Sequence, residues 1–423
     1  NYPNGVSFRG SKVRIFTKNS IAYPKIQIQN MKRFFKPILI LSLSLPFFSC
    51  NKGGGGGGGG TNPVTQADIA ALDAKVNTFM STYNIPGASL AVTKNGKLVY
   101  IKGYGKANTT TGELVTPQHR FRLASVSKTY TGVAIMKLIQ DGKLTIDQKV
   151  FGTGGVLGND YGVAPYNTNV LGMTVRHLLQ HVSGSWGAAT GGDVIDQNPA
   201  YTYKQLFDWV LSTRPNPNAP GTVYDYTNVG YNLLGRIIEK VSGKTYINYI
   251  KEDVLAPVGV TLTDIAGKTE AEKKTKEVTY YGQGNDASYV YTIAFPRRDA
   301  DGGLMSTASD LLKLVTAVDG FTSRPDILNA SSITTFTTAS AAFSSYACGI
   351  GLWNAEHLWF NYGSLPGTRT GFMRHDNGMC VALLLNSRVD PVAGENPFVF
   401  GMQDLLLDVV KNTTYPWQNI DQF

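Results

Sequence analysis

The sequence predicts an α/β (α+β) fold in which one antiparallel sheet is built from both ends of the folded chain. The sheet is flanked by helices and carries an inserted helical lobe. Strand-like runs occur near the start of the folded part, at 88–93 and 98–102, and again between 346 and 386. Helical stretches dominate the residues between them, so the simplest assembly pairs the two ends and places the helices in layers around the sheet. A cleft between lobes is the natural place for a site.

The net charge of +9 belongs to the first 60 residues, which contain nine basic residues and no acidic ones. The rest of the chain then carries 30 basic and 30 acidic residues. Because the folded part has no excess of positive charge, nucleic acid is not an expected partner.

A targeting segment is predicted at 31–49. The basic stretch Met31–Lys36 precedes an apolar run, Ile38–Phe48, that is too short to span a bilayer and ends at Ser49-Cys50. A small residue followed by Cys resembles the lipobox of bacterial lipoproteins, in which the Cys becomes the lipidated first residue. We therefore expect Cys50 to anchor an exported protein to a bacterial membrane, facing the periplasm or the cell exterior, with cleavage at an unmodified site as the alternative.

Two further segments complete the predicted domain organisation. Residues 1–30 precede the first Met, and we interpret them as an over-extension of the reading frame. Residues 50–63 contain the eight consecutive glycines Gly53–Gly60, which predict a flexible tether because their backbone is maximally free. The folded domain is expected at 64–423, and Cys348 and Cys380, both in apolar runs, are expected to be two free thiols rather than a disulfide.

Periodicity predicts the remaining elements. The run Lys94-Asn95-Gly96 between the first two strands indicates a tight hairpin turn. Helices are predicted at Ala67–Tyr83, Ser125–Asp141, Val175–Gln180, Tyr203–Ser212, Val229–Val241, Leu311–Val318 and 399–411. Strands near the end are predicted at 346–353, 356–361, 369–375 and 379–386.

The stretch FRLASVSKTYTG at 121–132 contains a candidate nucleophile and base. Ser125 and Lys128 are three residues apart, so on a helix their side chains share a face. Burial of the pair would favour the neutral amine of Lys128, which is a usable base toward the Ser125 hydroxyl. The pattern alone is weak, since Ser49-Cys50-Asn51-Lys52 also matches it and an ordinary polar helix start would look the same.

Two more patterns strengthen this interpretation. Tyr226 and Asn228 precede a predicted helix, and a phenol beside an amide can relay a proton and bind a substrate carbonyl. Gly363 and Ser364 lie on a predicted strand that could offer a backbone N–H beside the scissile bond.

With these motifs, the sequence resembles the penicillin-recognising serine hydrolases, in the branch of the class C β-lactamases, D-Ala-D-Ala carboxypeptidases and related esterases. Six blocks in the same order carry the resemblance, over about residues 66–410: IPGASLAVTKNGKLVYIKGYG (85–105), FRLASVSKTYTGVAIMKLIQDGKLTIDQKV (121–150), MTVRHLLQHVSG (173–184), PGTVYDYTNVGYNLLGRIIEKVSG (220–243), DGGLMSTASDLLKL (301–314) and GSLPGTRTGF (363–372). The resemblance implies a β-lactamase/transpeptidase-like fold and hydrolysis of an amide or ester.

The resemblance also implies roles for the matching residues. Ser125 would be acylated, with Lys128 as its basic partner, Tyr226 as general acid/base and Asn228 as a contact to the substrate amide. The backbone N–H groups of Ser125 and Ser364 would bind the developing oxyanion. The division of proton transfer between Lys128 and Tyr226 stays open. The substrate would be a D-amino peptide, a β-lactam or a small ester, and a catalytically weak penicillin- or peptidoglycan-binding receptor is the alternative.

One position departs from the family pattern. The family usually has Lys or His at the start of the third motif, where this chain has Asn361, a neutral donor that we expect to contact the substrate. This change weakens the case for a carboxylate-bearing substrate. His357 lies four residues earlier and is a candidate replacement cation, although the interpretation that it plays no part is preferred.

No cofactor or metal is expected. His177 and His181 have a metal-like spacing of four, but they fall in a block that the family uses structurally. We expect a monomer whose partners are its small-molecule or peptide substrate, which could derive from peptidoglycan, and the membrane that holds its lipid anchor.

Overall fold

Strands from both ends of the chain form one antiparallel sheet in the computed structural model, which describes residues 66–187, 193–214, 216–391 and 396–423. The strands are β1 (Gly87–Lys94), β2 (Lys97–Gly105), β3 (Phe121–Arg122), β4 (Asp264–Ile265), β5 (Leu304–Ser306), β6 (Gly351–Trp353), β7 (Leu358–Leu365), β8 (Thr368–His375) and β9 (Met379–Leu385). The main sheet has the order β2–β1–β9–β8–β7–β6. Ala88 of β1 lies opposite Leu385 of β9, so the first hairpin pairs directly with the C-terminal strands and the predicted fold is confirmed.

The hairpin between β1 and β2 turns where the sequence predicts it. Asn95 and Gly96 both have positive φ, 49° and 74°. Positive φ at both central residues is the geometry that matches the right-handed twist of paired strands, and Asn-Gly adopts it at low cost.

Helices cover both faces of this sheet. They are α1 (Ala70–Thr82), α2 (Ser127–Gln140), α3 (Thr168–Leu171), α4 (Val175–Leu179), α5 (Tyr203–Thr213), α6 (Asn228–Ser242), α7 (Tyr246–Tyr249), α8 (Ala308–Thr316), α9 (Ala330–Thr337) and α10 (Asn396–Lys411). Helices α1 and α10 pack together on one face, where Phe79 stacks on Phe398 at 5.6 Å between ring centroids. Helix α8 packs on the other face, against β1 and β9. All of β9 is therefore buried instead of alternating.

The inserted lobe lies between β2 and β6 in the chain. It contains α2 to α9 and a small sheet of order β3–β5–β4. Helix α2 is buried along most of its length and contacts α6 and α9. The turn Ala124–Val126, between β3 and α2, contacts β7 and β8, so the main sheet borders the residues that open α2.

Several predicted boundaries are wrong. The strand expected at 346–353 is reduced to Gly351–Trp353, because Ala347 donates to Ile350 O across a turn in which Gly349 has φ +92°. The strand expected at 356–361 starts at Leu358 and continues to Leu365. Helix α9 was not predicted, because its sequence ASSITTFT carries little apolar periodicity, and the Asn329 side chain caps it by accepting from Ser332 N.

Residues 1–65 lie outside the described residues, so the targeting segment, Cys50 and the glycine tether remain predictions. Within the described part of the chain, no helix is long and apolar enough to cross a membrane.

Helix α2 passes so close to the turn before β6 that it needs a glycine. A Cβ on Gly132 would lie 2.2 Å from Cys348 O. We predict that Gly132→Ala lowers the free energy of unfolding by about 2 kcal/mol, as overpacking typically does. Urea unfolding measures it.

Gly172→Ala is the matched control, because its Cβ would meet no atom closer than 3.6 Å. We expect a change within about 0.5 kcal/mol there. Equal effects of the two substitutions would contradict the close approach.

Candidate active site

Ser125 lies on a strained turn at the start of α2. The turn is the single 3₁₀ turn Ala124–Val126, and Ala124 has φ +48°, a left-handed conformation that costs a non-glycine residue about 1 kcal/mol or more. Two neighbours hold the preceding Leu123: its N–H donates to Leu304 O at 2.8 Å, and its carbonyl accepts from Thr370 Oγ1 at 2.6 Å. Strands β5 and β8 therefore maintain the strain, which presents Ser125 at the helix entry.

The Lys128 ammonium lies one turn further along, fully buried. Its Nζ is 3.3 Å from Ser125 Oγ, and it donates to Asn228 Oδ1 at 2.5 Å and to Asp301 O at 2.7 Å. It also lies 4.9 Å from the centre of the Tyr226 ring, within cation–π range. A buried charge must be paired or hydrogen-bonded, and three acceptors match the three donors of an ammonium.

Tyr226 completes the contacts to the serine. Its hydroxyl donates to Ser125 Oγ at 2.9 Å. Burial raises the pKa of this phenol above its ordinary value, and the hydrogen bond to Ser125 only partly offsets the effect. Tyr226 is therefore a neutral phenol at physiological pH, able to donate a proton.

Asn228 is held from both ends of its amide. Its Oδ1 accepts from Lys128, while its Nδ2 and its backbone N–H donate to Asp193 Oδ2 at 2.6 and 3.0 Å. Burial raises the pKa of the Asp193 carboxyl, and hydrogen bonds from the backbone N–H groups of Asn228 and Ile195 oppose this. The amide predicted to contact substrate therefore also orients Lys128.

Strand β7 forms the other wall of the site. Strand β6 pairs only with Leu358–Phe360, so β7 continues alone from Asn361 along that edge. A Cβ on Gly363 would lie 2.1 Å from Leu123 O and 3.0 Å from Ala124 Cβ. Only glycine permits the strand to approach so closely the turn Ala124–Val126, here called the nucleophile turn after the role predicted for Ser125. Ser364, predicted to supply an oxyanion N–H, follows directly.

Asn361 ties this strand to helix α2. Its Nδ2 donates to Ser125 O at 3.2 Å, to Thr129 Oγ1 at 3.1 Å and to Gly349 O at 2.9 Å. The side chain is buried and fixes the backbone of the nucleophile turn. The structure therefore places this amide nitrogen against the protein, whereas the sequence led us to expect it to contact substrate.

His181 is an unforeseen neighbour of Tyr226. Its ring is buried, 4.2 Å from the Tyr226 ring between centroids, and its Nδ1 accepts from Thr227 N at 3.2 Å. Burial, together with the positive charge of Lys128, lowers the pKa of His181 well below its ordinary value. His181 is therefore an uncharged ring that packs against Tyr226 and positions its phenol.

Three other residues that the sequence analysis singled out lie elsewhere. Ser127 Oγ accepts from Leu304 N, at the start of β5, at 3.1 Å. His177 caps α4 through Thr174, at 3.1 Å from its backbone N. His357 was expected on the strand with Asn361, and this is wrong: it ends a 3₁₀ turn with φ +55°, and its exposed ring lies 3.7 Å from Asp376.

Sequence reasoning missed two residues that support the lysine. Asp301 supplies a carbonyl to Lys128, and its carboxylate accepts from Asn232 Nδ2 at 2.8 Å and from Arg298 at 2.9 Å. Asp301 is the first residue of the block DGGLMSTASDLLKL, for which the sequence predicted no role at the site. Asp193 lies in a loop whose sequence carries no comparable signal.

Cys348 and Cys380 are buried free thiols, and burial raises the pKa of each to about 12.

The neutral state of His181 predicts a pH effect on stability. In the unfolded chain a His takes up a proton below about pH 6.5, whereas His181 in the native state does not. The free energy of unfolding should therefore fall as pH drops below about 6.5, by up to ~1.4 kcal/mol per pH unit for one proton.

His181→Asn keeps an acceptor for Thr227 N and removes the titrating group. We expect its free energy of unfolding to fall less steeply than the wild type between pH 6.5 and 5 in urea titrations. Parallel slopes in the two proteins would show that His181 is protonated in the native state.

The chain is similar in sequence to several known proteins. The "Protein flp" of Staphylococcus aureus (strain N315) is 27% identical over 320 residues, which are 73% of this chain and 61% of flp. The chain thus spans less than two thirds of that relative. A protein of Escherichia coli O157:H7 named "Putative D-alanyl-D-alanine carboxypeptidase" is 25% identical over 385 residues, 78% of this chain and 85% of its own length.

Solved structures show the same fold. The octameric penicillin-binding protein homologue from Pyrococcus abyssi is 26% identical with a TM-score of 0.65, covering 81% of this chain and 77% of its own. The D-amino acid amidase from Ochrobactrum anthropi SV3, in complex with L-phenylalanine, also has a TM-score of 0.65, at 22% identity, and covers 81% and 99%. Its likeness concerns the fold alone.

A family model described as Beta-lactamase matches residues 72–400, from the first helix into the last. This range contains Ser125, Lys128 and Tyr226, which the fold brings together around one hydroxyl. The chain therefore belongs to the Beta-lactamase family of serine hydrolases.

Proposed function

We propose that this protein hydrolyses an amide or ester through an acyl-enzyme on Ser125. One observation carries the proposal: Ser125 Oγ lies 2.9 Å from the Tyr226 hydroxyl and 3.3 Å from Lys128 Nζ. A nucleophile within hydrogen-bond reach of two groups that can exchange its proton is the arrangement that covalent catalysis requires. The substrate classes are D-amino peptides, β-lactams and small esters, and the names of the relatives support the first two.

The proton steps follow from the state of each group. We propose that the reactive form is the one in which Lys128 has released the proton of its ammonium form to solvent, while Tyr226 keeps its proton because burial disfavours the phenolate. Ser125 Oγ bonds to the substrate carbonyl carbon while its proton passes to Lys128. The bond to the leaving nitrogen or oxygen then breaks as Tyr226 gives that atom its proton, and Lys128 restores the proton of Tyr226. Water reverses these steps to release the acid.

The remaining residues assist this sequence. Backbone N–H groups of Ser125 and Ser364 would bind the oxyanion, a contribution that amounts to about 3 kcal/mol per donor in related chemistry. Asn228 holds Lys128 and Asn361 holds the nucleophile turn. No metal or cofactor is invoked.

A catalytically weak penicillin- or peptidoglycan-binding receptor is the second candidate. The observation that favours it is Asn361, whose amide leaves the site without the usual cation of the third motif. Turnover separates the two: hydrolysis of a panel of esters and D-amino peptides that disappears in Ser125→Ala supports the enzyme, while stable acylation without turnover supports the receptor.

The two serines of the motif provide a direct test. We predict that Ser125→Ala abolishes labelling by a fluorophosphonate or a fluorescent penicillin, because it removes the hydroxyl that contacts both Tyr226 and Lys128. Peptide mass mapping of the wild-type adduct should place it on Ser125.

Ser127→Ala is the matched control. It leaves the buried N–H of Leu304 without its acceptor and should cost about 2 kcal/mol of stability. Labelling of the folded variant should persist. An adduct on Ser127, or labelling of Ser125→Ala at the wild-type rate, would exclude the proposed nucleophile.

We further propose that the mature protein is a monomer exported and held at the bacterial membrane through Cys50, with 53–60 as tether. The full chain expressed in bacteria should incorporate an alkyne fatty acid and partition into detergent, and Cys50→Ser should do neither. Incorporation that persists in Cys50→Ser would refute the anchor.

A further inference from the structure

We propose that the carboxylate of Asp286 pairs with the guanidinium of Arg388 beside strand β7. Because of this pairing, the enzyme selects substrates that lack a carboxylate next to the scissile bond. This inference rests on the proposed hydrolase function and names its substrate class. It concerns two residues that neither the motifs nor the proton steps above use.

The two side chains form a bidentate ion pair. Arg388 Nε donates to Asp286 Oδ2 at 2.5 Å, and Arg388 Nη2 donates to Oδ1 at 2.8 Å. The side chains are only 12% and 8% exposed. A planar guanidinium binds one carboxylate through two parallel hydrogen bonds, so this face of Arg388 is already used.

The pair lies at the edge of the site. The remaining terminal nitrogen, Arg388 Nη1, donates to Ser364 Oγ at 2.9 Å. Ser364 follows Gly363, which packs against the nucleophile turn. Arg388 is thus a cation bonded to a residue that the resemblance places in the oxyanion hole.

The charges near β7 make the consequence specific. The position that usually carries a cation is the neutral Asn361, whose amide nitrogen bonds to the protein. A substrate carboxylate that approached Ser364 would find the Nε and Nη2 donors of Arg388 already bonded to Asp286, and the charge of Asp286 would repel it. A neutral ester or amide meets neither obstacle.

The carboxylate is held in place by its loop. Asp286 lies in the 3₁₀ segment Gly284–Ser288, where Asn285 N donates to Asp390 Oδ2 at 2.7 Å. Gln283 Nε2 donates to Tyr83 O at 2.8 Å, which ties the same loop to the end of α1. Asp286 is therefore a fixed internal substitute for a substrate carboxylate.

The test uses two peptides that differ only in this charge, an N-acyl-D-alanyl-D-alanine and its C-terminal carboxamide. We expect the wild type to hydrolyse the carboxamide with a kcat/KM at least tenfold higher than the acid. Asp286→Asn removes the competing charge. The kcat/KM for the acid divided by the kcat/KM for the carboxamide should therefore rise at least tenfold in this variant. Acylation by benzylpenicillin and by its methyl ester gives the same two ratios on a second scaffold.

Two variants separate this effect from general damage. Arg388→Gln added to Asp286→Asn should return the ratio to the wild-type value, which distinguishes Arg388 from Arg369, the cation opposite Ser364 on β8. Asp147→Asn breaks a similar bidentate pair with Arg176, at 2.6 and 2.8 Å, on the exposed surface and should leave the ratio unchanged.

The outcomes are distinct. A wild type that prefers the acid overturns the inference without any variant, and so does a ratio that stays constant or falls in folded Asp286→Asn. In those cases the hydrolase function still stands. If no substrate is hydrolysed and no adduct forms on Ser125, the proposed function fails and this inference fails with it.

Discussion

The buried ammonium of Lys128 is the interaction on which the site depends. Three acceptors of its hydrogen bonds come from the turn before α2, from the start of α6 and from the segment before β5. A charge inside a protein is tolerated only when it is surrounded by such groups, so the lysine forces three distant parts of the chain to meet. Two further hydrogen bonds fix these acceptors. Asp193 accepts from the Asn228 amide, and the Asp301 carboxylate accepts from Asn232.

Close backbone approach is the second constraint. Helix α2 touches the turn before β6 at Gly132, and β7 touches the nucleophile turn at Gly363. Between these contacts the left-handed Ala124 is held through Leu123, whose N–H donates to β5 and whose carbonyl accepts from β8. Rigid strands on two sides therefore maintain the strain beside Ser125, a preorganisation that the proposed acylation of this serine would use.

The neutral character of the site arises from several independent features. Burial keeps Tyr226 protonated and His181 uncharged, and Asn361 stands where related proteins usually have a cation. The Asp286–Arg388 pair balances its own charge. Lys128 Nζ, at 3.3 Å from Ser125 Oγ, is thus the ionisable group that acts directly on the serine, and its hydrogen bonds to Asn228 and Asp301 tie it to the protein.

The sequence by itself determined the sheet from both chain ends and the hairpin at Asn95-Gly96, because these follow from local periodicity and turn residues. The grouping of Ser125, Lys128, Tyr226 and Asn228 was implied by the resemblance of the sequence to a known family. Turn chemistry moved the strand near Gly349, and side-chain capping created α9, where periodicity was weak. Only the tertiary structure decided what Asn361 bonds, where His357 points and that Asp286 meets Arg388. Those contacts join residues 12 to 236 positions apart, or depend on a left-handed turn, and nothing in the local pattern encodes such distances.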